Sequence, residues 1–394
     1  MNRKVLWWKP WLSDTALHKM ADLEIAEQLT KRNYIVHLIV PTINGKIIPS
    51  TPSPKMRIHS IQMKFLPLFS PIARSFFISF ILPLYILTLK PNFVVTEPDV
   101  SILGFLPTSI LCKLLKIKIV LDIRSVPVET FGIEGFMINL WFSVSLLVGK
   151  TLFDGITAIT SLMKDELCDK FRIDKDKIGV WTSGVSTDLF DPSKYRSEAS
   201  IYKNKLGLSS KFVVFYHGKF SPTRGLKQTI KAMKILKTIH PKIFLFLLGS
   251  GPITPDLNRL IKTESLEDNV AIHDPVDQKQ VPLFISICNA GIVPLPNNKF
   301  WRCQSPLKLL EYLAMEKAII VTDIPAHRSV LYENSCVIYF SSIEPVDIAN
   351  AIEFAYLNEK KVANCGKDGR KIVQENYSWE KVATDLDSYL RSLL

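Results

Sequence analysis

The sequence of 394 residues lacks the features that mark several common classes of protein. Its six cysteines are scattered without a C-x-x-C pair, which indicates reduced thiols and not a disulfide framework. No zinc-finger spacing, RRM signature or long Lys/Arg run supports nucleic-acid binding. The seven histidines show no metal-ligand spacing, and no G-x-S-x-G elbow of a serine hydrolase is present.

Apolar runs long enough for a membrane-spanning helix are also missing. The most apolar stretch, 76–89, has 14 residues and contains Pro83, whereas a spanning helix needs ~20 residues. A second apolar helix, 136–148, is also short. Both suit buried core helices, but the first also suits a helix in the membrane interface, because basic residues precede it. These are Lys55, Arg57, Lys64 and Arg74.

The N-terminal residues 1–10 are too short and too polar for a signal peptide. We therefore expect a cytoplasmic protein, with a possible contact to the cytoplasmic face of a membrane through residues 55–89. The net charge is +12, and residues 1–130 hold 16 Lys/Arg against 8 Asp/Glu. A basic first third suits an acidic membrane surface or a phosphate-bearing substrate.

Short apolar runs of strand length alternate with helical patterns along the whole chain, which predicts parallel sheets covered by helices. The length favours two domains. Strands are expected at 4–8, 34–40, 93–96, 117–122, 155–160 and 178–181 in the first half, and at 212–217, 243–248, 270–273, 290–294 and 318–323 in the second. The polar segment 191–200 is the expected linker. Ligands of such sheets bind beyond the carboxyl ends of the strands, so a cleft between the two sheets is the expected site.

Residues 305–315 predict a helix whose first turn could bind an anion. Ser305 suits the N-cap and Pro306 the first helical position, and leucines follow at helical spacing. Free backbone N–H groups and the helix dipole attract negative charge there, and Lys308 could add to the attraction. Glu311 lies more than a turn further on. The same pattern also fits an ordinary core helix.

A second candidate site is the loop 218–226, which follows an apolar strand and precedes a helix. Gly218 allows a ligand to approach the backbone. Lys219 offers a compact charge, and Arg224 offers a fork that matches phosphate oxygens. A departing diphosphate needs such fixed cations. The alternative is that both cations are simply solvated on a surface loop.

These motifs and three others resemble those of family 4 glycosyltransferases. Residues 218–225 match that family's G-R/K-x-x-x-x-K/R-G loop, and 249–252 resemble its G-x-G-P turn. Residues 305–312 resemble its donor helix, 182–190 its interdomain segment and 377–383 its C-terminal helix. The resemblance covers the whole chain and is strongest over 178–394.

The resemblance implies the α/β architecture called GT-B, with two Rossmann-like domains whose parallel sheets face each other across a cleft. The domains expected on this basis are an acceptor-binding domain at 1–190, a nucleotide-sugar-binding domain at 201–375 and a helix at 376–394 that returns to the first domain. The implied reaction transfers a sugar from a UDP- or GDP-sugar to an acceptor hydroxyl, with retention and without an obligatory metal or cofactor. A glycan or lipid-linked precursor is the expected acceptor.

By the same resemblance, Lys219 and Arg224 would hold the diphosphate. The start of the donor helix would present N–H groups to it, from Ser305, Pro306, Leu307 and Lys308. Glu311 would bind the ribose hydroxyls, and the turn at Gly249 and the segment containing Val276 would border the base. In the first domain, Asp122 and Arg124 resemble a D-x-R-D turn and are expected to orient or bind the acceptor; a purely structural Asp–Arg pair is the alternative.

The sequence departs from the family pattern at three places. Cys303 stands where the family has the first of two glutamates eight positions apart, and Arg302, Gln304 or Ser305 could compensate. Residues 9–15 contain no glycine, although the family has a Gly-Gly loop there, and Glu316 stands where a helix-ending glycine is usual. A sugar-nucleotide 2-epimerase and a non-catalytic nucleotide-sugar-binding subunit therefore stay as alternatives.

Overall fold

The computed structural model describes residues 2–9, 16–42, 53–62, 70–128, 130, 132–331, 337–364 and 366–394. The chain forms two compact units: unit 1 is Met1–Thr182 with Trp379–Leu394, and unit 2 is Ser183–Ser378. The expected linker at 191–200 was wrong. Asp191 caps a short 3-10 turn, Pro192–Lys194, by accepting from the Ser193 N–H, and a helix follows from Arg196. The polar side chains of this segment therefore cap folded backbone inside unit 2.

Unit 1 is built on a seven-stranded parallel sheet with the order β3-β2-β1-β4-β5-β6-β7. Its strands are β1 (Arg3–Trp8), β2 (Tyr34–Thr42), β3 (Met56–Gln62), β4 (Phe93–Thr96), β5 (Lys118–Ile123), β6 (Gly155–Ala158) and β7 (Ile178–Val180). Strand β3 was not predicted, because its sequence MRIHSIQ carries polar residues among few apolar ones.

Six helices of the described residues cover this sheet. They are α1 (Ala16–Lys31), α2 (Ser70–Leu89), α3 (Phe105–Leu115), α4 (Gly132–Leu152), α5 (Ser161–Phe171) and, from the end of the chain, α15 (Trp379–Ser392). Helix α15 packs against α1 within unit 1, where the Tyr34 hydroxyl donates to Asp387 Oδ1 at 2.7 Å and Arg32 donates to Thr384 Oγ1 at 2.5 Å. The expected short helix at 136–148 was wrong, since α4 has 21 residues.

Unit 2 has a six-stranded parallel sheet with the order β10-β9-β8-β11-β12-β13. Its strands are β8 (Phe212–His217), β9 (Ile243–Leu248), β10 (Val270–His273), β11 (Ala290–Val293), β12 (Ala318–Thr322) and β13 (Val337–Phe340). Strands β8 and β9 are buried at every position, as expected for a parallel sheet with both faces covered.

The helices of unit 2 lie on both faces of its sheet and divide its apolar residues into two large clusters. They are α6 (Arg196–Lys205), α7 (Leu226–Ile239), α8 (Thr254–Thr263), α9 (Val281–Ile287), α10 (Leu307–Ala314), α11 (Pro325–Leu331), α12 (Pro345–Leu357), α13 (Glu359–Asn364) and α14 (Gly366–Asn376). Both sheets therefore have the same doubly wound order, with one additional strand in unit 1.

Candidate functional site: a cationic pocket at the switch point of unit 2

The strand order of unit 2 reverses between β8 and β11. From β8 the chain builds outward through β9 and β10, and it then crosses to β11 and builds in the other direction. The carboxyl ends of β8 and β11 therefore form a topological switch point, which is where open parallel sheets bind ligands. The loop 218–226, which the sequence singled out, starts at this point.

Two glycines fix the path of this loop. Gly218 has φ +119°, and a Cβ there would lie 3.0 Å from Cε of Lys308. Gly225 has φ +68°, and a Cβ there would lie 2.1 Å from the carbonyl oxygen of Pro294, directly after β11. Any side chain at either position would be strained. The loop 218–226 therefore packs closely against Lys308 at one end and against Pro294 at the other.

Lys308, in the first turn of α10, points toward this loop. Its Nζ lies 5.0 Å from the centre of the Tyr216 ring and 3.1 Å from the position of a Cβ at Gly218. Burial and, to a smaller extent, nearby Arg224 together lower the pKa of Lys308 to about 7, although Glu311 opposes the shift. The ammonium group therefore lacks the negative charge that would hold it protonated.

Arg224 is the second cation of the pocket. Its guanidinium carbon lies 5.1 Å from the centre of the Trp301 ring, and the Trp301 indole N–H donates to the Thr223 carbonyl at 3.1 Å. The Nε of Arg224 is buried without a hydrogen-bond partner among the described residues. A buried donor without a partner is costly, so an incoming anion would gain by accepting from it.

Glu311 lies one turn beyond Lys308 and is buried, with 3% of its surface exposed. Its Oε2 is 3.1 Å from Nε2 of His217, the last residue of β8. Neither atom makes a hydrogen bond within the described part of the chain. At 3.1 Å the two atoms lie within ion-pair distance, so a buried carboxylate and an imidazole pair with each other beside the cations.

The glycine turn after β9 packs directly behind the loop. Gly249 has φ +145°, and a Cβ there would lie 2.0 Å from the Gly218 carbonyl oxygen. The Phe220 N–H donates to the Ser250 carbonyl at 2.8 Å, and the Gly249 N–H to the His273 carbonyl at 2.9 Å. The structure therefore brings Gly249 next to Gly218, while Val276 is half-buried against the apolar core.

The start of α10 differs from the prediction by one residue. Pro306 has extended backbone angles and is the N-cap, and the helix begins at Leu307 without a side-chain cap, so Ser305 was wrongly predicted as the N-cap. The Ser305 carbonyl instead accepts from the Ser183 hydroxyl at 3.5 Å. Proline at the N-cap supplies no hydrogen-bonding side chain, so no side chain caps the first N–H groups of α10, and the Leu309 N–H donates to the Pro306 carbonyl at 3.1 Å.

Among residues 301–304, the sequence indicated Arg302, Cys303 and Gln304 but not Trp301. Trp301 was missed, because nothing in the sequence near residue 301 signals a contact with a loop 77 residues earlier. Cys303 is buried. Gln304 is also buried, and its Nε2 finds no hydrogen-bond partner in the described ranges. Arg302 is exposed and donates to Asn297 Oδ1 at 2.8 Å. Gln304 is therefore the better placed of these residues to meet a ligand.

The predicted acceptor residues in unit 1 have internal partners. Asp122 is fully buried, and its Oδ1 accepts from the Thr157 hydroxyl at 2.7 Å and from the Trp181 indole at 3.0 Å. Arg124 lies over the Trp181 ring at 3.4 Å and donates to the Trp181 carbonyl at 2.7 Å. These contacts suit the structural alternative, and a direct role in acceptor binding stays a prediction.

A network of charges lies at the switch point of unit 1, between β1 and β4. Lys9 follows β1 and is 1% exposed. Its Nζ donates to Asp22 Oδ1 at 2.7 Å and to Glu97 Oε1. Burial alone would lower the pKa of Lys9, but the two carboxylates raise it above its usual value. The cation at this point is therefore fully paired with carboxylates.

Comparisons with known proteins find a family match in unit 2. Residues 199–372, all within unit 2, match the model of the family described as glycosyl transferases group 1. TuaH of Bacillus subtilis, which carries the name of a teichuronic acid biosynthesis glycosyltransferase, is 25% identical over 204 residues, which are 51% of this chain and 48% of that protein. The chain thus spans about half the length of this curated relative.

The whole chain resembles solved structures in fold. The structure of Anabaena HepE in complex with UDP and glucose has a TM-score of 0.74 at 12% identity, over 99% of this chain and 100% of that one. Sucrose-phosphate synthase from Thermosynechococcus elongatus has a TM-score of 0.78 at 17% identity, over 100% and 99%. The expected pair of Rossmann-like domains is confirmed. Residues 199–372 therefore match the group 1 glycosyltransferase model, in a chain that has the GT-B fold.

Proposed function

We propose that this protein is a retaining, metal-independent hexosyltransferase of family 4, which moves a sugar from a UDP- or GDP-sugar to an acceptor hydroxyl. One observation carries the proposal: Arg224 and Lys308 converge at the switch point of unit 2 without enough negative charge to satisfy them. A diphosphate supplies that charge and fits beside the first turn of α10.

The two cations act on the leaving group. When the bond between the anomeric carbon and the diphosphate breaks, the diphosphate keeps the electron pair and its negative charge grows. Arg224 and Lys308 are already desolvated and fixed, so they stabilise that charge without reorganisation. The acceptor oxygen forms the new bond to the anomeric carbon and releases its proton to the departing diphosphate. Lys219 is exposed at the mouth of the loop and contributes to diphosphate binding.

The remaining residues position the donor. Glu311 accepts hydrogen bonds from the ribose hydroxyls, and the Gly249 turn borders the base. With a cysteine at 303, the amide of Gln304 takes over the contact with the donor sugar. HepE was solved with UDP and glucose, which supports a uridine nucleotide. The name of TuaH supports a cell-surface glycan precursor as acceptor, and we place the protein in the cytoplasm, at the inner face of the membrane.

Two measurements test this function. A thermal-shift screen of UDP, GDP and their sugars should raise Tm for the matching nucleotide, because a ligand that binds only the folded state stabilises it. In a transfer assay, Arg224→Ala should lower kcat by about 10²–10³-fold with an unchanged Tm of the free protein. Lys231→Ala, an exposed lysine of α7 outside the pocket, is the matched control and should behave as wild type.

The alternatives give different outcomes in the same assays. Wild-type turnover by Arg224→Ala would contradict the proposed role of the pocket. Release of free nucleotide without any acceptor would favour a 2-epimerase. The buried Cys303 is the observation that favours a non-catalytic subunit, and nucleotide-sugar binding without turnover on any acceptor would support that function.

A further inference from the structure

Helices α2, α3 and α4 form one continuous layer in unit 1. The chain builds β1, β2 and β3 in one direction across the sheet and then crosses to β4, β5 and β6 in the other. Because crossovers between parallel strands are right-handed, α2, α3 and α4 lie on one face of the sheet and α1 on the opposite face. Helix α2 packs directly on α3.

This layer has very few charged residues. Its three helices contain only Arg74, Lys113, Glu134 and Lys150. Two of these are used internally: Arg74 lies 3.8 Å from the buried Asp99, and Lys150 donates to the Phe171 carbonyl at 3.0 Å. Helix α15, on the opposite face with α1, has five charged residues in 14. The low charge is therefore a property of these three helices and not of the whole unit.

Large apolar side chains of this layer are exposed, although core helices would bury them. Phe76 of α2 is 68% exposed, Leu114 of α3 76%, and Ile133 and Phe136 of α4 86% and 67%. Phe80 and Ile110 belong to the same set. Soluble monomers rarely expose so continuous an apolar patch, and such patches mark interaction surfaces. The reading of these segments as buried core helices is therefore wrong for their outer faces.

The packing of helix α4 limits how much of this layer could insert into a membrane. It is the described helix that is long and apolar enough to cross a membrane. Its second half, however, packs on the sheet: Ser145, Leu146 and Val148 are buried, and a Cβ at Gly149 would lie 2.7 Å from the Leu121 side chain. A helix held in this way cannot leave the domain to span a bilayer. Only its first turns are free to insert.

We propose that the outer face of α2, α3 and α4 docks on the surface of an anionic lipid bilayer, with Ile133 and Phe136 inserted below the headgroups. Exposed lysines adjoin the patch at Lys90, Lys113 and Lys116, at or just beyond the ends of α2 and α3. They complement anionic headgroups. A symmetric contact with a second copy would bring equivalent patches, and so these lysines, together. The three helices offer the lysines no exposed carboxylate other than Glu134.

The docking face also lies beside the ligand edge of the unit 1 sheet. Helix α4 follows β5, so its first turns start at the carboxyl end of the strands, where ligands of such sheets bind. If the protein transfers sugar as proposed above, this arrangement would bring a lipid-linked acceptor to unit 1 from the bilayer itself. This last step rests on the proposed function; the docking does not.

Vesicle flotation of the full-length protein tests the docking. We expect flotation with vesicles of phosphatidylcholine and phosphatidylglycerol at low salt, and weaker flotation with phosphatidylcholine alone. Ile133→Ser/Phe136→Ser should lower the partition coefficient by about 10²-fold, since two large apolar side chains lose their burial. Ile201→Ser/Ile239→Ser, two exposed isoleucines of unit 2, is the matched control and should float as wild type.

The following outcomes would overturn the docking proposal. Wild-type protein that stays at the bottom of the gradient, or an α4 variant that floats as well as wild type, contradicts membrane docking. Sedimentation velocity that shows a dimer, dispersed by the same α4 substitutions, would identify a second copy as the occupant. The α4 variant should keep wild-type Tm and UDP binding, so a loss of flotation is separable from a failure of the proposed transfer reaction.

Discussion

The two units place different chemistry at the same point of the same fold. In unit 1 the first central strand, β1, is followed by Lys9; in unit 2 the corresponding strand, β8, is followed by Gly218. Lys9 fills its own switch point and binds Asp22 and Glu97. Gly218 has no side chain, and the ammonium group of Lys308, from α10, occupies the space beside it.

The difference lies in how the charge is balanced. Carboxylates raise the pKa of Lys9 above its usual value, whereas burial and Arg224 lower the pKa of Lys308 to about 7. A paired buried charge is costly to break, and an unpaired one attracts a ligand. The comparison teaches that topology selects the location of a site, while the balance of charge decides whether that location binds anything.

The largest expected effect is a loss of stability when the cation of the charge network in unit 1 is removed. Lys9→Met leaves Asp22 and Glu97 without their cation, and removal of one partner of a buried pair costs about 3–5 kcal/mol. Urea unfolding followed by circular dichroism should show this loss. The variant Lys9→Met/Asp22→Asn/Glu97→Gln should recover part of it. A single variant as stable as wild type would show that Lys9 is not held by these carboxylates.

The mirror substitution in unit 2 should have the opposite sign for stability. Lys308→Met removes a desolvated cation beside Arg224, so the free protein should be as stable as wild type or more stable. UDP affinity should fall by roughly 10–100-fold, as expected for the loss of one charged hydrogen bond worth about 1.5–3 kcal/mol. Calorimetric titration measures the affinity, with Lys231→Met as control. Unchanged affinity would place the diphosphate elsewhere.

The pH dependence of binding sharpens the comparison further. Free Lys308 has a pKa of about 7, and a bound diphosphate should raise it. The complex then takes up a proton above pH 7, and UDP affinity falls as pH rises toward the pKa in the complex, by up to ~10-fold per pH unit. Titrations at pH 8 in buffers of different ionisation heat measure the uptake. Lys308→Arg should abolish it, because a guanidinium stays charged.

The smallest effect concerns Glu316, at the end of the helix that carries Lys308. Glu316 has φ +57°, and the Lys317 N–H donates to the Tyr312 carbonyl at 2.9 Å, as in a helix end that usually has glycine. Glu316→Gly should raise stability by about 1 kcal/mol, because glycine adopts this conformation without strain. UDP affinity should not change. A stability gain accompanied by altered affinity would mean that the helix end communicates with the pocket.

Local patterns in the sequence predicted much of the fold. Strands β4, β8, β9 and β10 have the expected bounds, because they are apolar runs bounded by clear breaks. The cationic loop and the helix at 307 were also found, since glycine, lysine and arginine at strand ends are local signals. The seven-residue strand β3 was missed because its partner β2, not its own composition, makes it a strand.

Contacts between distant residues could not be predicted. The stacking of Arg224 on Trp301, the approach of Gly225 to Pro294 and the ion pairs of Lys9 each join segments more than ten residues apart. Composition also could not reveal which side of α2, α3 and α4 faces solvent. The apolar content that suggested a core helix is the same content that forms the exposed face of unit 1.

The position of Trp301 provides a natural optical probe. Among the seven tryptophans of the chain, Trp301 alone belongs to unit 2. Its indole lies beside the Arg224 guanidinium, and its N–H is fixed to the Thr223 carbonyl. A nucleotide that draws Arg224 toward its phosphates would change the fluorescence emission of this one indole. Occupancy of the pocket could then be followed in stopped-flow experiments without a label or a coupled enzyme.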